Sequence, residues 1–169
     1  SSSSWQLLTD QKETYLTFHR IEKEFDTGNI VYEKMFKLKN SEFCQEKYYN
    51  LIEKKEKIAF EIFLKKIFKK KTFKCRKPIK SNIIYMPKLD TDIHGFIDWS
   101  WKAKDICSFG RIFDSPYKGA STFLLNKRVR LKNMSFHSTK KNFHPFQSGI
   151  IFNKDEKKIY IASIEGFLK

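Results

Sequence analysis

The segment HSTKKNFH places His137 and His144 on either side of a polar stretch that carries Lys140 and Lys141. Two imidazoles and an ammonium are the reagents of metal-independent RNA cleavage. They supply a general base for the ribose 2′-OH, a general acid for the leaving 5′-oxygen and a cation for the charge on the phosphorane. If the chain is a nuclease, His137, His144 and Lys140 are the catalytic candidates; otherwise no catalytic residue stands out. The plainer reading is a polar loop, because no carboxylate that would orient either imidazole can be identified. A zinc site built from His94, Cys107, His137 and His144 matches no standard ligand spacing, so neither a metal nor a cofactor is expected.

The strongest electrostatic feature is KKIFKKKTFKCRKPIK, residues 65–80. Residues 54–80 carry twelve Lys/Arg against two Asp/Glu, whereas residues 1–53 carry seven against nine, in a chain whose formal charge is +15. A helix C-terminus accommodates one or two cations through its dipole, and lysine stems can cover apolar surface. Lys65, Lys66, Lys69, Lys70, Lys71, Lys74, Arg76, Lys77 and Lys80 are too many for that explanation alone, and they read as a phosphate-binding ridge. A second cluster, NKRVRLKN, alternates so that Arg128, Arg130 and Lys132 share one strand face, either as a nucleic-acid surface or as a charged guard on a sheet edge. Trp99 and Trp101 in GFIDWSW would share a strand face too, and could stack on bases or sugars if they are not core. Lysine far outnumbers arginine, and with abundant Ile, Phe and Asn this also fits the codon bias of an AT-rich genome.

These residues need elements to hold them. TYLTFHRIEK and IVYEKMFKLK flank the turn residues of EFDTGN, which predicts an N-terminal β-hairpin. Asn40 and Ser41 can cap a helix, and apolar residues from Tyr48 to Ile67 recur at helical spacing, predicting one long basic helix over about 41–70. Its second half is apolar on nearly every face and is expected to be covered on more than one side. From Ile83 onward, NIIYM, GFIDWSW, FGRIF, STFLL, KRVRLKN, GIIF and KIYIASI read as short strands, with 153–157 as a hairpin loop. The expected fold is α+β: hairpin, long helix, then a mainly antiparallel sheet or a partly closed barrel. All 169 residues read as one domain, with residues 1–12 as a flexible tail.

Composition excludes a disordered tail, since 40% of residues are hydrophobic and 17 are Phe. No apolar run reaches the roughly 20 residues of a membrane span. Three widely spaced cysteines without a CxxC pair favour a reducing, intracellular or organellar setting, mitochondrial included. The function these features favour is a non-enzymatic nucleic-acid-binding module, with RNA preferred, working within a ribonucleoprotein such as an organellar ribosome or processing complex beside other proteins. The alternatives are a small metal-independent ribonuclease or ribotoxin using the His pair, and a β-rich interaction or carbohydrate-binding domain using Trp99 and Trp101.

Overall fold

The computed structural model describes residues 2–9, 11–39, 44–69, 72–78, 85–139 and 143–169. Where the serine run reads as a tail, Ser2–Leu8 form a helix, α1. Ser3, Ser4 and Leu7 are buried. The helix is held by polar contacts that hydropathy does not register: Gln45, wholly buried, donates from Nε2 to Ser3 Oγ at 2.8 Å and accepts from Ser4 Oγ at 3.3 Å. Buried amides are tolerated when bonded in this way.

Strands β1 (Glu13–His19) and β2 (Ile30–Lys37) form the expected antiparallel hairpin, with Thr17 opposite Glu33. Its connection closes so tightly that a Cβ on Gly28 would stand 1.7 Å from the carbonyl oxygen of Arg20, so only glycine fits. Helix α2 (Gln45–Phe68) is the long basic helix, entered through Cys44 without a side-chain cap; the proposed cap at Asn40 and Ser41 lies outside the described residues. Tyr48 and Ala59 are buried, and Leu51 and Ile52 pack against the core. Phe63 meets Phe18 and Phe73 at ring-centroid distances of 5.3 and 5.0 Å. The second half is not enclosed as expected: Ile58, Phe60, Ile62, Ile67 and Phe68 are exposed.

The largest departure from expectation is α4. A short helix α3 (Thr91–His94), capped by Asp90, precedes it, and Ala103–Phe113 then form α4, whereas FGRIF reads as a strand. Ala103, Ile106, Cys107, Phe109, Gly110, Ile112 and Phe113 are all buried in this helix. Their spacing of three and four is helical, but Gly110 and the β-branched and aromatic residues obscure it. Gly110 leaves room for Met134, whose Cε would stand 1.7 Å from a Cβ at 110 and would have to swing aside for one. GFIDWSW is likewise not a strand. It makes one single bridge, at Phe96, before a turn at Trp99–Ser100, and a second bridge follows it at Lys102.

Strands β3 (Ala120–Leu124) and β4 (Lys127–Leu131) form a hairpin whose two turn residues, Leu125 and Asn126, both have positive φ (47° and 61°). That turn matches the strand twist of a two-residue hairpin. Strands β5 (Phe136–His137), β6 (Ile151–Lys154), β7 (Ile159–Ser163) and β8 (Gly166–Leu168) form a separate antiparallel sheet in the order β5-β8-β7-β6. The mixed α+β expectation holds, but among the described residues the strands form three separate sheets and no closed barrel. The main chain entering α4 is tied to the last two of these: Ile97 N–H donates to Ser121 O at 2.9 Å, and Ala103 N–H to Ile164 O at 2.9 Å. Ile106, Ile112, Ala120, Met134, Ile161 and Leu168 share one core with Leu7 and Tyr48 of the N-terminal half.

Ile106→Ala is expected to cost about 2–5 kcal/mol, as for a large-to-small change in a closed core, whereas Ile58→Ala on the exposed flank of α2 should shift stability by less than about 0.5 kcal/mol. Chemical-denaturation midpoints of the two variants check this, and equal midpoints would remove α4 from the centre of the core.

Candidate functional site

The β3–β4 hairpin turns one face outward. Ser121 lies opposite Arg130 and Phe123 opposite Arg128, so these four side chains share that face. Arg128, Arg130 and Lys118 converge on Asp92 of α3. Arg128 Nη2 lies 3.3 Å from Asp92 Oδ1, Arg130 Nη2 binds the same oxygen, and Lys118 Nζ lies 3.0 Å from Oδ2. Arg128 also donates to Ser121 Oγ at 2.9 Å and lies over the Phe96 ring, 4.6 Å from its centroid. Arg130 donates to Gly119 O at 3.3 Å. The hydrogen bond from Lys118, and then that from Arg130, hold the Asp92 carboxyl below the usual carboxylate range. The expected row of cations therefore exists for Arg128 and Arg130, organised by a carboxylate that the sequence pattern does not mark. Lys132 lies just beyond β4, exposed.

The basic segment after α2 is partly structural. Lys65, Lys66 and Lys69 are exposed at the helix end, with Lys66 Nζ 5.6 Å from the Tyr32 ring centroid. Lys74 and Lys77 are exposed as well. Arg76 is engaged: it bonds Glu33 at 2.6 Å and exchanges main-chain hydrogen bonds with Ile30. Lys70, Lys71 and Lys80 lie outside the described residues, as does Lys140.

The tryptophans do not share a strand face. Trp99 is half-buried, donates to Thr122 Oγ1 at 2.9 Å and has Gly149 against its ring. Trp101 packs edge-on against Phe109 with centroids 5.1 Å apart. His137 stacks on Phe167 and its Nε2 lies 3.1 Å from Ser135 Oγ. His144 caps the 3-10 turn Pro145–Gln147, accepting from Phe146 N–H at 3.2 Å through Nδ1. These two imidazoles serve local structure, and the structure records no hydrogen bond between them. Among the described residues no group of His, Cys, Asp or Glu is arranged to hold a metal ion; Cys107 is buried and points at Met134 O. No described helix is long and apolar enough to cross a membrane.

One imidazole does meet a carboxylate. His19, at the end of β1, has Nε2 3.5 Å from Asp26 Oδ1, and its Nδ1 lies 3.1 Å from Arg20 O. A carbonyl beside Nδ1 favours the tautomer with its proton on Nδ1, which turns the Nε2 lone pair toward Asp26. Asp26 is held at φ 58° beside the tight Gly28 turn and is almost fully exposed. By residue type, Asp26, Thr27, Gly28 and Asn29 are turn formers and nothing more. The signal that goes further is an acidic residue in a turn that returns it to the histidine before it.

Residues 91–169 match the family described as formyl transferase, C-terminal domain. The chain is 26% identical over 172 residues to the bifunctional polymyxin resistance protein ArnA of Wigglesworthia glossinidia brevipalpis, covering 98% of this chain and 25% of that protein. It is 29% identical over 128 residues to the methionyl-tRNA formyltransferase of Thermodesulfovibrio yellowstonii, covering 75% of this chain and 40% of the relative. In fold it is similar to HypX from Aquifex aeolicus in complex with tetrahydrofolic acid, with TM-score 0.66, 18% identity, and coverage of 98% of this chain and 28% of HypX. It is equally similar to the N-formyltransferase of Helicobacter canadensis in complex with folinic acid and dTDP-3-aminofucose, with TM-score 0.66, 18% identity, and coverage of 99% and 58%. The chain thus spans a quarter and two fifths of the two sequence relatives.

These likenesses overturn the reading of a non-enzymatic RNA-binding component of a ribonucleoprotein, and equally that of a metal-independent ribonuclease: they point to formyl transfer. The error has a physical source. Positive charge reports the sign of a partner, not whether chemistry is done on it.

Lowering pH should erode the Asp92 cluster. A carboxyl whose folded pKa is depressed contributes stability above its unfolded value, about 3.9, and loses it as pH falls toward the folded value. Asp92→Asn is therefore expected to flatten the acid limb of the stability profile below about pH 4, measured as the thermal midpoint against pH. Superimposable profiles would show that Asp92 organises nothing.

Proposed function

We propose that this protein is a formyltransferase that uses an aminoacylated tRNA as formyl acceptor and a formyl-tetrahydrofolate as donor. The match of residues 91–169 to the formyl transferase C-terminal domain carries the reaction class. Charge supports a tRNA as acceptor: Lys65, Lys66, Lys69, Lys74 and Lys77 are all exposed, more cations than a single nucleotide diphosphate requires.

In this reaction the acceptor's amine nitrogen attacks the formyl carbon. A new C–N bond forms, the bond from that carbon to the folate nitrogen breaks, and the amine proton must leave while the folate nitrogen gains one. His19 and Asp26 are the imidazole and carboxylate placed side by side to handle that proton, with the exposed Asp26 carboxylate the group open to the acceptor amine. The lysines of α2 hold the acceptor and take no part in bond making.

The test is formylation of methionyl-tRNA by the protein with a formyl-folate donor, read as formyl-methionine released from the tRNA. Transfer to methionyl-tRNA is expected; transfer only to a dTDP-linked amino sugar would sink the acceptor assignment. Asp26→Asn should lower kcat by roughly 10² to 10⁴, the usual worth of acid–base assistance, with little change in KM. The triple change of Lys65, Lys66 and Lys69 to Gln should do the reverse, raising KM for tRNA and weakening its salt dependence by roughly 0.7–0.9 in logarithmic slope for each phosphate that is no longer neutralised.

A further inference from the structure

The Asp92 cluster holds more positive charge than it neutralises. Arg128, Arg130 and Lys118 face a single carboxylate, and among the described residues no other Asp or Glu forms an ion pair with any of the three. Two guanidinium groups that share one carboxylate oxygen repel each other and gain from a further anion. Both are already fixed. Arg128 is tied by Ser121 Oγ and the Asp92 main-chain oxygen, the latter at 3.1 Å, and Arg130 is tied by Gly119 O. A ligand arriving there meets donors whose rotamer entropy is largely spent. Beside them stands an aromatic step. Phe96 and Phe123 stack with centroids 5.7 Å apart and planes 15° from parallel, Arg128 lies over Phe96, and Phe123 is 63% exposed.

From this arrangement we infer that Arg128, Arg130 and Lys118 form a phosphoryl-binding site and that Phe123 seats the planar base attached to that phosphate. Asp92 acts as the internal anion that keeps the cations in place before the ligand arrives. A phosphate brings the charge the cluster lacks, and the guanidinium fork matches its oxygens. The base stacks on the open face of Phe123 without sequence readout. The site is built from β3–β4, Lys118 and α3, elements other than those that carry the lysines of α2 and His19 and Asp26. It deepens the acceptor reading proposed above, since both a tRNA and a nucleotide-linked sugar carry a phosphate beside a base.

The test measures binding rather than turnover, by calorimetry with inorganic pyrophosphate and dTDP and by filter binding with a tRNA transcript. The Arg128→Gln, Arg130→Gln double variant is expected to weaken all three ligands by roughly tenfold or more. Phe123→Ala should weaken dTDP and tRNA by a similar factor while leaving pyrophosphate unchanged, which separates stacking from charge. The Lys65, Lys66, Lys69 to Gln variant should leave dTDP and pyrophosphate untouched. Should the double variant not fold, as judged by circular dichroism, Lys118→Gln and Phe123→Ala carry the same comparison, with Lys118→Gln weakening all three ligands. Binding of dTDP without tRNA would assign the site to a free nucleotide, and binding of both with the same variant profile would assign it to the tRNA. Unchanged affinity for every ligand in folded variants overturns the site, even if the parent formylates methionyl-tRNA. Loss of binding in these variants, in a protein that transfers no formyl group, would uphold the site and remove the formyltransferase reading.

Discussion

The whole C-terminal half depends on burying one helix. Ala103, Ile106, Cys107, Phe109, Ile112 and Phe113 bury one broad face of α4, while Lys104 and Asp105 on the other side stay exposed. Helix α1, β3, β5 and β8 pack against that face, and main-chain hydrogen bonds from Ile97 to Ser121 and from Ala103 to Ile164 tie the segment leading into α4 to the strands. Because the hydrophobic term scales with area removed from water, these small sheets gain from α4 what hairpins of this size cannot supply alone. Ala120 and Leu131, on the face of β3–β4 opposite the arginines, rest on that core.

Charge in this chain has two uses that composition cannot distinguish. Arg76 pairs with Glu33 and holds the segment after α2 against the hairpin, so it belongs to the fold. Lys65, Lys66 and Lys69 stand in solvent beside it and remain available to a partner. Arg128 and Arg130 do both, since each is tied to Asp92 and each contributes to a charge excess.

The hairpin and α2 were legible in the sequence because each repeats a simple period over enough residues to stand above noise. Helix α4 was not, because Gly110 suggests a break until Met134, 24 positions away, is seen to need the space. Helix α1 was hidden by serines whose partner, Gln45, is remote in sequence. The candidate site followed the same rule. Arg128 and Arg130 were legible from strand alternation, whereas Asp92 and Lys118 reach them from other elements and carry no mark of it. His137 and His144 attracted attention through proximity along the chain, yet the imidazole that meets a carboxylate is His19, seven residues from Asp26 across a turn. Spacing in sequence predicts contact only inside a regular element, and chemistry usually sits where elements meet.

The contact between Gly110 and Met134 also constrains how such a protein can vary over time. The missing side chain at one position and the thioether at the other occupy a single shared volume, so neither position has a private identity. An alanine at 110 would push the Met134 thioether into another rotamer or favour a shorter residue there, so a change at one position alters what the other prefers. The two positions should therefore drift as a compensated pair, leaving an imprint of the helix's depth in the historical record of substitutions rather than in any one sequence.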